Sequence, residues 1–187
     1  MPEGGLLTPD GQGNYSFDAA SKYAKYNRNS KRFELTKQTQ SGNRDPLFTP
    51  FGNDSDANRY SFGMNLGADF YMPKDGKVNN QNMVFDFTGD DDVWVFFDKQ
   101  LGIDLGGVHG AQTAAVDLDT LMSGKSSGNY SFDFFFAERH TTESNLMITT
   151  SLLFSDPPVD VPEPGSLALL GLALTGLATL RMRRRAF

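Results

Sequence analysis

The sequence predicts an all-β fold, an antiparallel β-sandwich or partly closed barrel, followed by a proline linker and a single short C-terminal transmembrane helix. Three observations carry this. Short segments with period-two alternation recur along the chain, separated by Gly, Asn and Asp turns, the pattern of many short strands. Phenylalanine is abundant, 16 of 187 residues, which suits pleated, half-buried surfaces better than a helical bundle. Finally, Gly165 to Leu180 contains only Gly, Ser, Thr, Ala and Leu, and it follows a run of prolines. The expected organisation is a loose start over 1–14, a β domain over 15–154, a linker over 155–164, and a helix with an Arg-rich end over 165–187.

Taken in order, Met1 to Gly13 reads as a loose start. Glu3 and the single Leu6-Leu7 run do not make a leader peptide. Ser16 to Tyr26 reads as a short helix capped by Ser16 or Asp18. Arg32 to Lys37 alternates and reads as a strand with Phe33 and Leu35 on one face. Ser41 to Asn58 is turn-rich. Asp54, Asp56 and Asn58 open with EF-hand spacing, but Arg59 stands where Gly is needed and Asn65 where Glu would chelate, so a polar loop is the better reading. Tyr60 to Tyr71 is a strand with Phe62, Met64 and Leu66 facing together, and Lys74-Asp75-Gly76-Lys77 is a hairpin turn signal. Met83 to Thr88, Ala114 to Leu118, Tyr130 to Ala137 and Leu146 to Phe154 complete the strand set, with Leu121 to Gly128 a polar loop.

The strongest strand signal is Val93 to Phe97. Val93, Val95 and Phe97 point one way, Trp94 and Phe96 the other, which reads as a central strand apolar on both faces. Asp90, Asp91 and Asp92 sit at its mouth. Two carboxylates about 4 Å apart repel by roughly 4 kcal/mol at a surface-like dielectric and by about 1 kcal/mol in water. The run is therefore expected either to fan into solvent or to hold a cation.

Charge is unevenly spread around the net value of -6. Val84 to Asp119 carries eight Asp and one Lys, while Lys22 to Arg44 carries seven basic residues and one Glu. The acidic centre argues against nucleic acid as a partner. There is no cysteine, which excludes disulfides and thiolate chemistry. His109 and His140 lie on different loops and could join Glu138 in a metal hydrolase. No HExxH spacing, nucleophile elbow or phosphate loop accompanies them, and a non-enzymatic domain is expected. For Trp94, sugar stacking and core packing both fit, and its place in the central strand favours the core.

Gly165 to Leu180 would span about 24 Å as a helix, against a bilayer core of about 30 Å. It is apolar on every side through Leu167, Leu170, Leu174 and Leu177, and ends in Arg181, Arg183, Arg184 and Arg185. The arginines place that end in the cytoplasm and the β domain outside. Val161-Pro162-Glu163-Pro164-Gly165, the short apolar helix and the Arg cluster together resemble a PEP-CTERM tail. The resemblance implies export, recognition of Pro162, Glu163 and Pro164 by an exosortase, and loss of the helix on processing, in a bacterium that makes exopolysaccharide. The product would stay on the inner membrane or pass to the cell surface or matrix. Such a tail needs an export signal, which is expected upstream of Met1.

The stretch FTGDDDVWVFFDKQLGIDLGGVHGA, with FFFAERHTTESNLMITTSL downstream, resembles the fibro-slime domain over roughly Phe48 to Leu153. That family looks like a relative of the protective-antigen β-sandwich found in fungal adhesins. There, two adjacent Asp residues at a strand mouth, joined by a cis peptide, bind calcium, and the calcium binds sugar. The resemblance implies calcium at Asp90 and Asp91, with Asn145 from the facing loop. It makes carbohydrate or exopolysaccharide the expected partner, with Asp92, Asp104, His109 and Glu138 as candidate ligand contacts. A structural matrix subunit that self-assembles, with calcium only as a staple, is the alternative. One departure stands out: Asp98-Lys99-Gln100 lacks the Gly that the family's hairpin carries, which disfavours a tight primed turn.

Overall fold

The computed structural model describes residues 3–38, 48–51, 61–139 and 144–155. These fall in a unit running Met1–Pro157; a second unit, Pro158–Phe187, lies outside the described residues. The strands in chain order are β1 (Thr8–Pro9), β2 (Tyr15–Asp18), β3 (Lys22–Asn27), β4 (Arg32–Lys37), β5 (Phe62–Met72), β6 (Lys77–Val78) and β7 (Gln81–Asn82). They continue with β8 (Val84–Gly89), β9 (Asp92–Phe97), β10 (Gln100–Leu105), β11 (Gln112–Asp117), β12 (Gly128–Glu138), β13 (Leu146–Thr150) and β14 (Leu153–Phe154). A short α-helix, α1 (Leu118–Leu121), is capped by the Asp117 side chain, which accepts from Asp119 N–H and Thr120 N–H, and a 3-10 turn lies at Glu3–Gly5.

Two five-stranded antiparallel sheets face each other, with orders β1-β2-β13-β8-β11 and β10-β9-β12-β5-β14. Neither closes on itself, so the architecture is a sandwich and not a barrel. The inward residues are the alternating aromatics that the sequence announced. Phe85 of β8 meets Phe97 of β9 at 5.9 Å and Phe132 of β12 at 5.3 Å between ring centroids. Phe87 meets Phe134 at 5.9 Å. All five rings are buried, and each contributes about 3–5 kcal/mol against truncation to Ala.

Four expectations are corrected. Ser16 to Tyr26 is not a helix: β2 and β3 occupy it, joined by a turn. Phe17 pairs across to Ile148 and is buried, and Ala24 is buried in the hairpin with β4, so tertiary packing overrides the helical propensity of Ala-Ala-Ser-Lys. Asp98 and Lys99 do form a primed two-residue turn without Gly, with φ of 49° and 65°. Lys125 Nζ at 2.6 Å from Asp98 Oδ2 helps hold it, and β10, which the sequence reading did not foresee, follows directly. The Asp75-Gly76 turn leads into the small β6–β7 hairpin, whose own turn is Asn79-Asn80, both at positive φ. Leu146 to Phe154 is two strands. After β13 in the first sheet the chain passes through buried Leu152 to β14 on the edge of the second. Thr150 Oγ1 donating to Val84 O (2.8 Å) and Ser151 Oγ accepting from Val84 N–H (2.9 Å) secure the crossing.

Candidate functional site

β8 ends at Gly89 and β9 begins at Asp92, so Asp90 and Asp91 form the corner where the chain crosses between the sheets. The corner is tight. A Cβ on Gly89 would lie 2.5 Å from the Phe87 ring and 2.6 Å from Asn145 O, so only Gly fits. Asp91 turns the chain with φ 63°. The Asp90–Asp91 peptide is trans, since the described residues contain no cis bond. This corrects the cis geometry that the resemblance implied.

The carboxylates do not fan into solvent. Asp90, Asp91 and Asp92 are 3%, 0% and 4% exposed. Each turns to a different segment and accepts a backbone N–H there. Asp90 Oδ1 accepts from Asn145 N–H, and its Oδ2 accepts from Asn145 Nδ2 at 2.9 Å. Asp91 Oδ2 accepts from Arg139 N–H at 2.6 Å. Asp92 Oδ1 accepts from Gly107 N–H at 2.6 Å and from Arg139 Nη2 at 2.8 Å, while Arg139 Nε meets Asp92 Oδ2. The choice between solvation and a cation thus omitted a third solution, protein N–H donors and one guanidinium.

The three acids differ electrostatically. Burial pushes the Asp90 carboxyl above its ordinary value, aided by the neighbouring Asp91 charge, against the opposing Asn145 hydrogen bonds. Burial also acts on Asp92, but there the Gly107 N–H and the Arg139 guanidinium outweigh it and hold the carboxyl below its usual range. Asp91 Oδ1 is buried with no hydrogen-bond partner among the described residues. A naked carboxylate oxygen inside protein is costly unless a cation or proton meets it.

Of the residues named for the metal set, Asn145 contacts Asp90, and Asp91 turns to Arg139. Asp92 is committed to Arg139. Glu138, the last residue of β12, is buried close by in sequence to Arg139. His109 is pinned in its own loop, with Nδ1 2.8 Å from Gly110 O and Nε2 3.2 Å from Leu105 O. Asp104 is exposed on β10, its Oδ1 accepting from Gly106 N–H at 3.2 Å. Among the described residues no three His, Asp or Glu side chains converge as a metal-binding group. A divalent ion at Asp90 and Asp91 would need its remaining oxygens from carbonyls, Asn145 and water, a set that calcium accepts. His140, the Asp54–Asn58 loop, Pro162, Glu163, Pro164 and the anchor residues Leu167 to Arg185 lie outside the described residues. Among those described, no helix is long and apolar enough to cross a membrane.

The sequence reading missed Arg139 as the counter-charge of Asp92. The strand register supplies it: β9 and β12 pair antiparallel with Ala137 opposite Asp92, which puts residue 139 beside the acidic mouth. It also placed Trp94 in the core. Trp94 and Phe96 instead lie on the outer face of the second sheet, half-buried, beside exposed Phe135.

The fold and site define an all-β sandwich whose acidic corner binds three segments at one end. Residues 160–185 match the PEP-CTERM protein-sorting motif, which indicates export and sorting to the cell surface. The chain is 54% identical over 77 residues to Protein psiQ of Dictyostelium discoideum, an overlap of 41% of this chain and 8% of that protein. It is 46% identical over 101 residues to Protein psiJ of the same organism, covering 53% of this chain and 13% of the relative. These relatives agree with the fibro-slime resemblance, and the chain spans only about a tenth of their length. Among solved structures, β-glucuronidase from Ruminococcus gnavus in complex with uronic isofagomine aligns over 79% of this chain and 30% of that one. Its TM-score of 0.37 and identity of 9% carry no argument about activity.

Proposed function

We propose that this chain is an exported, non-enzymatic surface or matrix domain that takes calcium at Asp90, Asp91 and Asn145 and binds carbohydrate or matrix polymer there. In this reading Glu138 at the end of β12, Asp104 on β10 and His109 on the loop after β10 surround the site, and the apolar segment after Pro164 anchors the chain in the inner membrane until processing. The single observation that supports it is the buried, unpartnered Asp91 Oδ1 beside a second buried carboxylate. Asp92 is not a ligand in this scheme, because Arg139 already neutralises it.

The test is a calcium titration of the full chain in detergent by calorimetry and melting. Calcium at a hundredfold excess over Kd should stabilise the domain by about 2.7 kcal/mol. Asp91→Asn should abolish that gain, while in chelator the variant should be at least as stable as the parent, having lost a buried charge. No heat of binding and an unshifted melt would end the proposal. A glycan array with and without chelator then divides its two forms. Calcium-dependent sugar retention supports ligand binding; calcium-dependent oligomers without sugar make the ion a staple in a self-assembling matrix subunit.

A further inference from the structure

We propose a second carbohydrate site, independent of any cation, on the outer face of the sheet formed by β10, β9, β12, β5 and β14. Registered pairs lay out two rows across this face. One runs Asp104, Trp94, Phe135, Asn65; the other runs Leu101, Phe96, Asp133, Gly67. The Phe96 and Phe135 rings meet edge to face at 5.9 Å, and Phe135 and Leu101 are 37% and 44% exposed. On β5 the outward positions beside the aromatic ridge are Gly63, Asn65 and Gly67, with Asp69 and Tyr71 further along, so the surface drops there. A Cβ on Gly63 would meet nothing nearer than Phe136 O at 3.9 Å. The result is a shallow trough of about 750 Å³ lined by Trp94, Phe96, Phe135, Asn65 and Gly63. It shares Gly63, Met64 and Asn65 with a hollow of about 360 Å³ lined by Tyr26, Phe33 and Phe51, with Lys31 as its one charged residue among those described, which extends the track across β5.

The charges around the rings select the occupant. Asn65 is the polar side chain that lines the trough, and the register sets two further acceptors at its margin, Asp104 beside Trp94 and Asp133 beside Phe96. A sugar ring offers an apolar C–H face to an aromatic ring and hydroxyl donors to such acceptors. A protein surface laid here would have to desolvate two carboxylates without return. A second copy would bring its own Asp104 and Asp133 against them. An acidic polymer would be repelled at the same place. The trough fits a neutral oligosaccharide strand. It shares with the proposed function only the class of partner and does not use Asp90, Asp91 or a metal.

Trp94 is the chain's single tryptophan, so its fluorescence reads this site directly. The full chain is screened in EDTA against neutral glucan, mannan and galactan oligosaccharides, with a polyuronate as the acidic control. At least one neutral oligosaccharide should change Trp94 emission saturably, and the polyuronate should not. Phe135→Ser should weaken binding about tenfold, with urea unfolding in EDTA showing that the variant remains folded at the assay temperature. Trp94→Ala, read by calorimetry, should abolish it. Absence of any neutral-sugar response in EDTA, or a response indifferent to Phe135→Ser, overturns the proposal. So do dimers dispersed by Phe135→Ser without sugar binding, which give the face to a second copy. Sugar binding that needs calcium, disappears in Asp91→Asn and ignores Phe135→Ser assigns the ligand to the acidic corner instead.

Discussion

Arg139→Gln isolates the electrostatic logic of the acidic corner. The guanidinium makes two contacts to Asp92, through Nε and Nη2, and no other cation contacts that carboxylate among the described residues. Asp92 is 4% exposed, so after the substitution its charge stays buried beside Asp90 and Asp91 with the Gly107 N–H and nearby His109 for support. Breaking a fully buried pair costs about 3–5 kcal/mol, and a surface pair about 0–1 kcal/mol. The Arg139 side chain is 52% exposed, so solvent screens part of the interaction and about 2 kcal/mol is the expected loss. For a domain of this size that lowers the melting temperature by roughly 4–8 °C. The measurement is urea unfolding of parent and variant in chelator at neutral pH, at 0.1 M and 1 M salt. A pair half sheltered from water should keep most of the difference at high salt. Arg139→Lys should recover only part of it, because an ammonium cannot reproduce the planar two-point contact. A loss below about 0.5 kcal/mol, or one erased by salt, would make the corner an ordinary solvated turn, the level at which exposed pairs act.

Two further outcomes follow from the same corner. Asp90 and Asp92 titrate with opposite signs. Asp90 is raised above 3.8, so its folded form prefers the proton, and stability tied to it is gained as pH falls through its folded value and is fully present below 3.8. Asp92 is lowered, so its contribution is present above 3.8 and is lost as pH falls through its folded value. Acid melts should therefore stay level or rise above pH 3.8 before collapsing below it, and Asp90→Asn should remove the level region while keeping the collapse; identical profiles for parent and variant would refute the assignment. Gly89→Ala drives a methyl against Asn145 O and the Phe87 ring, and should cost about 1–3 kcal/mol by overpacking, measured by urea midpoint, with an unchanged midpoint counting against the geometry.

Much of the sandwich was legible because phenylalanines at alternate positions can face only one way along a strand. Phe85 and Phe87, then Phe132, Phe134 and Phe136, announced β8 and β12 as soon as their period was read. Where the period was weak the reading failed. Ala19, Ala20 and Ala24 favour a helix locally, and only the distant partner Ile148 opposite Phe17 decides for a strand. The sheet change at Ser151-Leu152 left no mark, since Leu146 to Phe154 holds no Gly, Pro or charged residue to interrupt a strand and the crossing depends on contacts to Val84, far away in the chain. Asp90, Asp91 and Asp92 were recognisable as a crowded run, and only the resemblance singled out Asp90 and Asp91 with Asn145 from the facing loop. The way that crowding is relieved was not, because it rests on N–H groups of residues 107, 139 and 145, which sequence cannot aim. Trp94 was misjudged for a related reason: alternation assigns it a face but does not say whether that face is covered.

Three consecutive side chains grip three separate segments, Asp92 the one at Gly107, Asp91 the one at Arg139 and Asp90 the one at Asn145. That end of the domain is consequently rigged like a tripod with one hinge pin. A proton, an ion or a bound molecule that loosens any one leg is felt by the other two across no more than two peptide bonds, so the segments should slacken or stiffen in concert and not one by one.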